Sequence, residues 1–225
     1  SHTFSNWTVT ASALSNGSAF LDGSNFKVLT AAAGSGAHWL YKGVSDGKKV
    51  VSVFAKAGTA SWIGLGCGAG SATAGAFFNL SSGTVGAVNG AGYQAYIEDW
   101  GGGIYRCVVC SPSASGNNFI SIEVHTANNQ ALSWSAAGSE TIEIIGAQCK
   151  SGDKATSLIK TEASAVTRAA DVCSISGSDF TGFYNDSFGS WVVGYESATG
   201  GGVFSVNDNS SSNKIQLSSA GTLVA

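Results

Sequence analysis

Phe119-Ile-Ser-Ile-Glu-Val-His125 is the stretch whose reading decides the fold. Ile120, Ile122 and Val124 alternate with Phe119, Ser121, Glu123 and His125. A strand sends successive side chains to opposite faces, so the three aliphatic residues make one apolar face and the others share the second. That second face is expected to be a polar binding surface or simply a solvent-facing one. Period-two alternation rich in β-branched residues suits a half-buried pleated sheet.

Working outward, the same pattern recurs at short intervals. Lys49-Val-Val-Ser-Val-Phe-Ala-Lys56 and Ile104-Tyr-Arg-Cys-Val-Val-Cys110 are strong strands. In Ser61-Trp-Ile-Gly-Leu-Gly-Cys67, the residues Ile63, Leu65 and Cys67 share one face and Trp62 points away from it. Ala76-Phe-Phe-Asn-Leu80, Thr84-Val85, Tyr93 to Ile97 and Thr141-Ile-Glu-Ile-Ile145 complete the set. Clusters of Gly, Ser and Asn punctuate these runs, and no amphipathic helix of useful length interrupts them. The fold class is therefore all-β, with an antiparallel two-sheet jelly-roll β-sandwich over residues 1–162. Lys160 to Asp171 holds small and polar residues with little strand signal, which places a linker at 163–172. Beyond it, Asp179 to Tyr184, Ser190 to Tyr195, Gly202 to Val206 and Lys214 to Leu217 are predicted strands. Residues 173–225 thus start a second β-sandwich, too short to close by itself.

Composition sets the outer bounds. The 225 residues include 31 Gly and only 11% charged residues, but 44% are hydrophobic, more than a disordered chain carries. Net charge is −3 and the basic residues form no stripe, so nucleic acid is not an expected partner. No apolar run nears the roughly 20 residues that cross a bilayer, and the opening residues do not have the form of a signal peptide. Methionine is absent, which suggests a stretch of a longer product. The cysteines are Cys67, Cys107, Cys110, Cys149 and Cys173, an odd number that argues against a complete disulfide framework. Cys107 and Cys110 are three apart on a strand and face opposite ways, so they are expected neither to bond to each other nor to share a metal. Reduced thiols suit assembly in a cytoplasm.

Ile144-Ile-Gly-Ala-Gln-Cys-Lys-Ser-Gly-Asp-Lys-Ala-Thr-Ser-Leu-Ile-Lys-Thr161, continuing to Ala165-Val-Thr-Arg-Ala-Ala-Asp171, resembles a pattern of phage tail-fibre and related virion proteins. There a jelly-roll module of carbohydrate-binding type ends in a Gly-Ala-Gln strand and a Thr-Ser-Tyr-Ile-Pro-Thr-like stretch. Phe4-Ser-Asn-Trp-Thr8 looks like that module's first strand, and Gly103-Ile-Tyr-Arg-Cys107 like its Gly-Trp-Tyr-Arg strand. Phe183-Tyr184-Asn185 and the run to Val206 are similar to the start of a concanavalin A-like sandwich. Lys160 and Ile104 depart from the pattern, standing where Pro and Trp are usual. The resemblance implies a virion protein assembled in the host cytoplasm, working as a homotrimer with other virion proteins and contacting glycans. It leaves open a purely structural fibre or capsid component, and a secreted accessory module of a polysaccharide-degrading enzyme. Such modules often carry a structural calcium, although no ligand spacing here specifies one, and no other cofactor is expected.

No catalytic constellation stands out. Adjacent Glu98 and Asp99 diverge on a strand, which suits loop solvation or a calcium ligand better than a glycosidase pair. The only histidines are His2, His38 and His125, and no nucleophile elbow or phosphate loop accompanies them. The protein is therefore expected to be non-enzymatic. Aromatic residues remain, because sugar rings stack on exposed aromatics flanked by polar groups. The resemblance implies core places for Trp7 and Trp191, which match strand positions of the resembled modules. Trp62 faces away from its apolar stripe, and Trp100 and Trp134 fall at loop or strand ends. Trp62, Trp100 and Trp134 are the candidate stacking residues, with Glu123, His125 and Arg106 as hydrogen-bonding partners.

Overall fold

The structure, a computed structural model, describes residues 4–68, 74–112, 118–160, 202–207, 214–218 and 223–224. The chain divides into two compact units, Ser1–Arg168 and Ala169–Ala225.

The first unit is built from β1 (Thr8–Thr10), β2 (Ser12–Ala19), β3 (Asn25–Ala31), β4 (Gly34–Ala37), β5 (Trp39–Val44), β6 (Lys49–Ala57) and β7 (Trp62–Gly68). It continues with β8 (Gly75–Asn79), β9 (Thr84–Asn89), β10 (Gln94–Asp99), β11 (Ile104–Cys110), β12 (Asn118–His125), β13 (Ser133–Ala136) and β14 (Thr141–Ser151). Two six-stranded antiparallel sheets result, in the orders β1-β5-β12-β7-β8-β9 and β10-β11-β6-β14-β3-β2, with β13 and β4 paired separately. They pack together as a β-sandwich, as the alternation predicts.

The stretch Phe119 to His125 lies mid-sheet, where Ile122 stands opposite both Leu40 of β5 and Leu65 of β7. Ile120, Ile122 and Val124 enter one core with Ile63 and Leu65 from their own sheet and Val51, Val53, Cys107, Val109, Ile142 and Ile144 from the other. Fully burying each aliphatic side chain contributes about 1.5–3 kcal/mol, so this shared face fixes the register of both sheets.

The second sheet also carries an apolar outer face. On β14 the register shifts between Ile145 and Gln148, and Gly146 there has φ +63°. Ordinary alternation turns Ile144 inward and Ile145 outward, where it joins Phe20, Phe26, Phe54 and Ile104 with Leu158 packed on top, and the bulge then brings Ala147 into the core three residues after Ile144. A Cβ at Gly146 would come 2.9 Å from Leu158 Cδ2, so glycine also makes room for the covering chain. Beside it, Val50, Val108 and Cys110 pack with Tyr96 and Ala155. Residues 152–160 thus cross this face as a strap. Arg106 donates to Thr156 O, the Cys110 thiol to Asp153 O, and Ile159 N to Gln148 Oε1.

In the second unit, β15 (Gly202–Asn207), β16 (Lys214–Ser218) and β17 (Leu223–Val224) form an antiparallel sheet in that order. The expected linker at 163–172, the expected strands from Asp179 and Ser190, Cys173 and Trp191 lie outside the described residues.

Candidate functional site

The outer face of the first sheet carries Ser121, Glu123 and His125 in a row on β12. Trp39 and Tyr41 flank them on β5, and Gly64 and Gly66 on β7. Ser121 Oγ donates to Glu123 Oε1 at 2.8 Å, and His125 Nε2 lies 3.0 Å from Glu123 Oε2. His125 Nδ1 lies 3.3 Å from Gln130 Oε1, and its ring tilts against Phe77 at 4.9 Å. Ser121, Glu123 and His125 are all buried, at 0%, 1% and 1% exposure. This corrects the expectation of an open polar surface on this face. Residues two apart on one strand satisfy one another here, with Glu123 shared by both neighbours, which lowers the cost of burying them. Bulky rings stand around them, with Trp39 5.0 Å from Tyr41 and Tyr41 5.8 Å from Phe119. The carboxylate, and not the imidazole, sits in the middle of the row. The serine proton is therefore directed at Glu123, which is not the order that activates a nucleophile.

Trp62 shares this face but is held in packing. Its ring lies against the β9 backbone, since a Cβ at Gly86 would come 2.6 Å from it. Asn128 Oδ1 crowds the same glycine and accepts from Ala87 N at 2.8 Å. Trp134 is a core-edge residue. Its ring meets His38 edge-on at 4.8 Å and its Nε1 donates to Val124 O at 3.2 Å.

Trp100 is different. Among the described tryptophans it alone is exposed, at 47%. It stands at the tip of the β10–β11 hairpin, followed by Gly101, Gly102 and Gly103 with φ of +77°, +61° and +75°. An added Cβ on any of the three meets nothing within 4 Å, so backbone conformation and not space demands glycine. Asp99 Oδ1 accepts from Gly101 N at 2.8 Å, and Trp100 N donates to Ile104 O at 2.9 Å, which closes the turn. The indole rests edge-on against Phe54, with centroids 5.0 Å apart and planes at 86°. Its Nε1 donates to Glu98 Oε2 at 3.3 Å.

The same Glu98 oxygen lies 3.6 Å from Arg106 NH1. Arg106 is buried at 4% exposure, donates to Ser52 Oγ at 3.1 Å and to Thr156 O at 2.5 Å, and lies over the Phe54 ring at 5.5 Å. Its guanidinium holds the strap at Thr156 O, so this hydrogen-bonding candidate is buried at 4% exposure.

The sequence-selected residues accordingly do not converge. Trp62, Glu123 and His125 lie on the outer face of the first sheet, Trp100 and Arg106 on that of the second, and Trp134 at the core edge. The cluster that the structure does assemble is Trp100, Glu98 and Phe54 over Arg106. The sequence signal for Glu98 was its place two residues before Trp100 at the end of an alternating strand, opposite Arg106. Trp39 and Tyr41 were legible from their own alternation as ring neighbours on one face.

The thiols are held inert. Cys107 lies in the inter-sheet core and Cys110 on the outer face, as alternation requires. Burial pushes both thiols up, and Cys149 is pushed up to about 12, mainly by burial and further by neighbouring Cys67. Among the described residues, no three His, Cys, Asp or Glu side chains are grouped as metal ligands would be. No protein-family model matches the sequence, and a comparison with curated proteins finds no match.

Proposed function

We propose that this chain is a non-enzymatic segment of a bacteriophage fibre or spike that binds glycans on a host or environmental surface and assembles as a homotrimer. The observation that carries the reading is Trp100. An exposed indole on a fixed aromatic pedestal, with its N–H already engaged by a carboxylate, offers a flat apolar face beside polar groups. Sugar rings bind such platforms through their C–H faces while their hydroxyls pair with the polar rim. The all-β sandwich and the strand resemblance from Gly146 to Asp171 support the virion setting.

Calorimetric titration of the full chain with a panel of glycans tests the proposal. Trp100→Ala is expected to cost about 1–3 kcal/mol of binding while the fold persists. Trp62→Ala and Trp134→Ala act as controls whose rings are committed to packing, so they should lower stability more than affinity. A parent that binds no glycan would favour the structural-spacer reading, which draws on the burial of Glu123, His125 and Arg106. Light scattering of the full-length protein tests assembly, and a monodisperse monomer would remove the trimer.

A further inference from the structure

We infer that the Trp100 platform takes uncharged pyranoses and discriminates against acidic sugars, with Glu98 setting that choice. The inference rests on the glycan-binding reading and adds the ligand class. Trp100 Nε1 and Arg106 NH1 both meet Glu98 through Oε2. Glu98 Oε1 has no hydrogen-bond partner among the described residues, and the side chain is 38% exposed. An acceptor therefore stands unengaged at the edge of an exposed indole. A ring stacked on Trp100 would bring its equatorial hydroxyl or N–H donors to that edge. A carboxylate accepts such donors more strongly than a neutral oxygen does.

Glu98 is the carboxylate of this face that meets the indole. Cross-strand order places Glu98 beside Arg106 and Arg106 beside Phe54, so all three share the outer face. Arg106 is buried, its Nη2 donates to Ser52 Oγ and Thr156 O, and its Nη1 faces Glu98, so its guanidinium lies inside the fold. Lys56 shares the face next to Ile104, and Glu143, opposite it in the register, accepts from Ser18. A uronic or sialic acid stacked on Trp100 would bring its own carboxylate against Glu98. Like charges at contact distance weaken binding, and no hydrogen bond compensates.

The test is a glycan array bearing neutral, sialylated and uronate oligosaccharides, probed with the full chain as parent, Trp100→Ala and Glu98→Gln. The parent is expected to bind neutral glycans only, and Trp100→Ala to lose that binding roughly tenfold or more. Glu98→Gln should lose roughly tenfold for neutral glycans and gain signal on acidic ones, because Arg106 loses its counter-charge. Trp100-dependent binding of acidic glycans by the parent would overturn this inference and leave the glycan reading standing. Parent-like neutral binding by Glu98→Gln would remove Glu98 from the choice. An absence of Trp100-dependent signal on every glycan would overturn the glycan reading itself. Should Glu98→Gln not fold, the parent is compared on uronate oligosaccharides before and after reduction of their carboxyl groups. Binding confined to the reduced forms supports the inference, and equal binding overturns it.

Discussion

The outer faces of the two sheets are removed from water by opposite means. On the first sheet, short polar residues of one strand, Ser121, Glu123 and His125, bond to one another among aromatic rings. On the second, an apolar face built from Phe26, Phe54, Ile145, Val50 and Val108 is covered by the chain's own strap, residues 152–160. The contrast teaches that alternation reports which side a residue faces and not whether that side is wet. It also explains why Trp100 stands out. The strap leaves the tip of the β10–β11 hairpin uncovered, so an aromatic residue there keeps a free face.

The strap is the sharper place to break this contrast, because one buried side chain ties it down. Arg106→Ala removes the donor to Thr156 O and Ser52 Oγ and the cation over Phe54. The expected cost is about 3 kcal/mol, the size typical of truncating a buried, bonded charge. Limited trypsin digestion should then cut faster after Lys154, inside the strap. A variant that melts and resists trypsin as the parent does would show that apolar contacts alone hold the strap.

On the first sheet the expected effect is smaller. Glu123→Ala deprives Ser121 and His125 of their shared acceptor and should cost about 2 kcal/mol, read by denaturant unfolding. Glycan affinity should stay unchanged in the folded fraction. Lost affinity with unchanged stability would instead make this face the binding surface, and the contrast would invert.

The fold was largely legible because period-two alternation encodes it directly. Ile120, Ile122 and Val124 turned inward as their spacing requires, and Cys107 and Cys110 parted to opposite faces. Legibility ended where side chains from distant segments meet. The outer face of β6 and β11 is apolar because residues 152–160, some fifty positions from Arg106, fold back over it. Two stretches singled out by family resemblance, Gly103 to Cys107 and Ile144 to Thr161, meet through the bond from Arg106 to Thr156 O. Sequence marked each separately, but only the fold joins them. The candidate site failed to converge for the same reason: Trp62 and Trp100 are similar in type, and nothing local tells which sheet each one covers.

The last expected effect concerns thiol chemistry, and it separates the strap from the inter-sheet core. Only the thiolate reacts with a disulfide reagent or maleimide, so a raised pKa slows labelling. At pH 8 a thiol held near 12, as Cys149 is, reacts on the order of a thousandfold more slowly than a free thiol of pKa about 8.5. The sign for stability follows. These thiols titrate at higher pH in the folded chain than in the unfolded one, so their contribution is complete below the ordinary thiol range. It fades as pH rises from there toward the folded value. Stability near neutrality should therefore be indifferent to them, while alkaline conditions erode it. Peptide mapping after labelling at pH 8, with Cys173 counted separately, should find Cys107 and Cys149 unmodified in the native parent and modified in denaturant. Cys110 lies under the strap and not between the sheets. In Arg106→Ala it should gain reactivity while Cys107 does not. If the two gained reactivity together, loosening the strap would amount to opening the whole sandwich, and the strap would not be separable from the core.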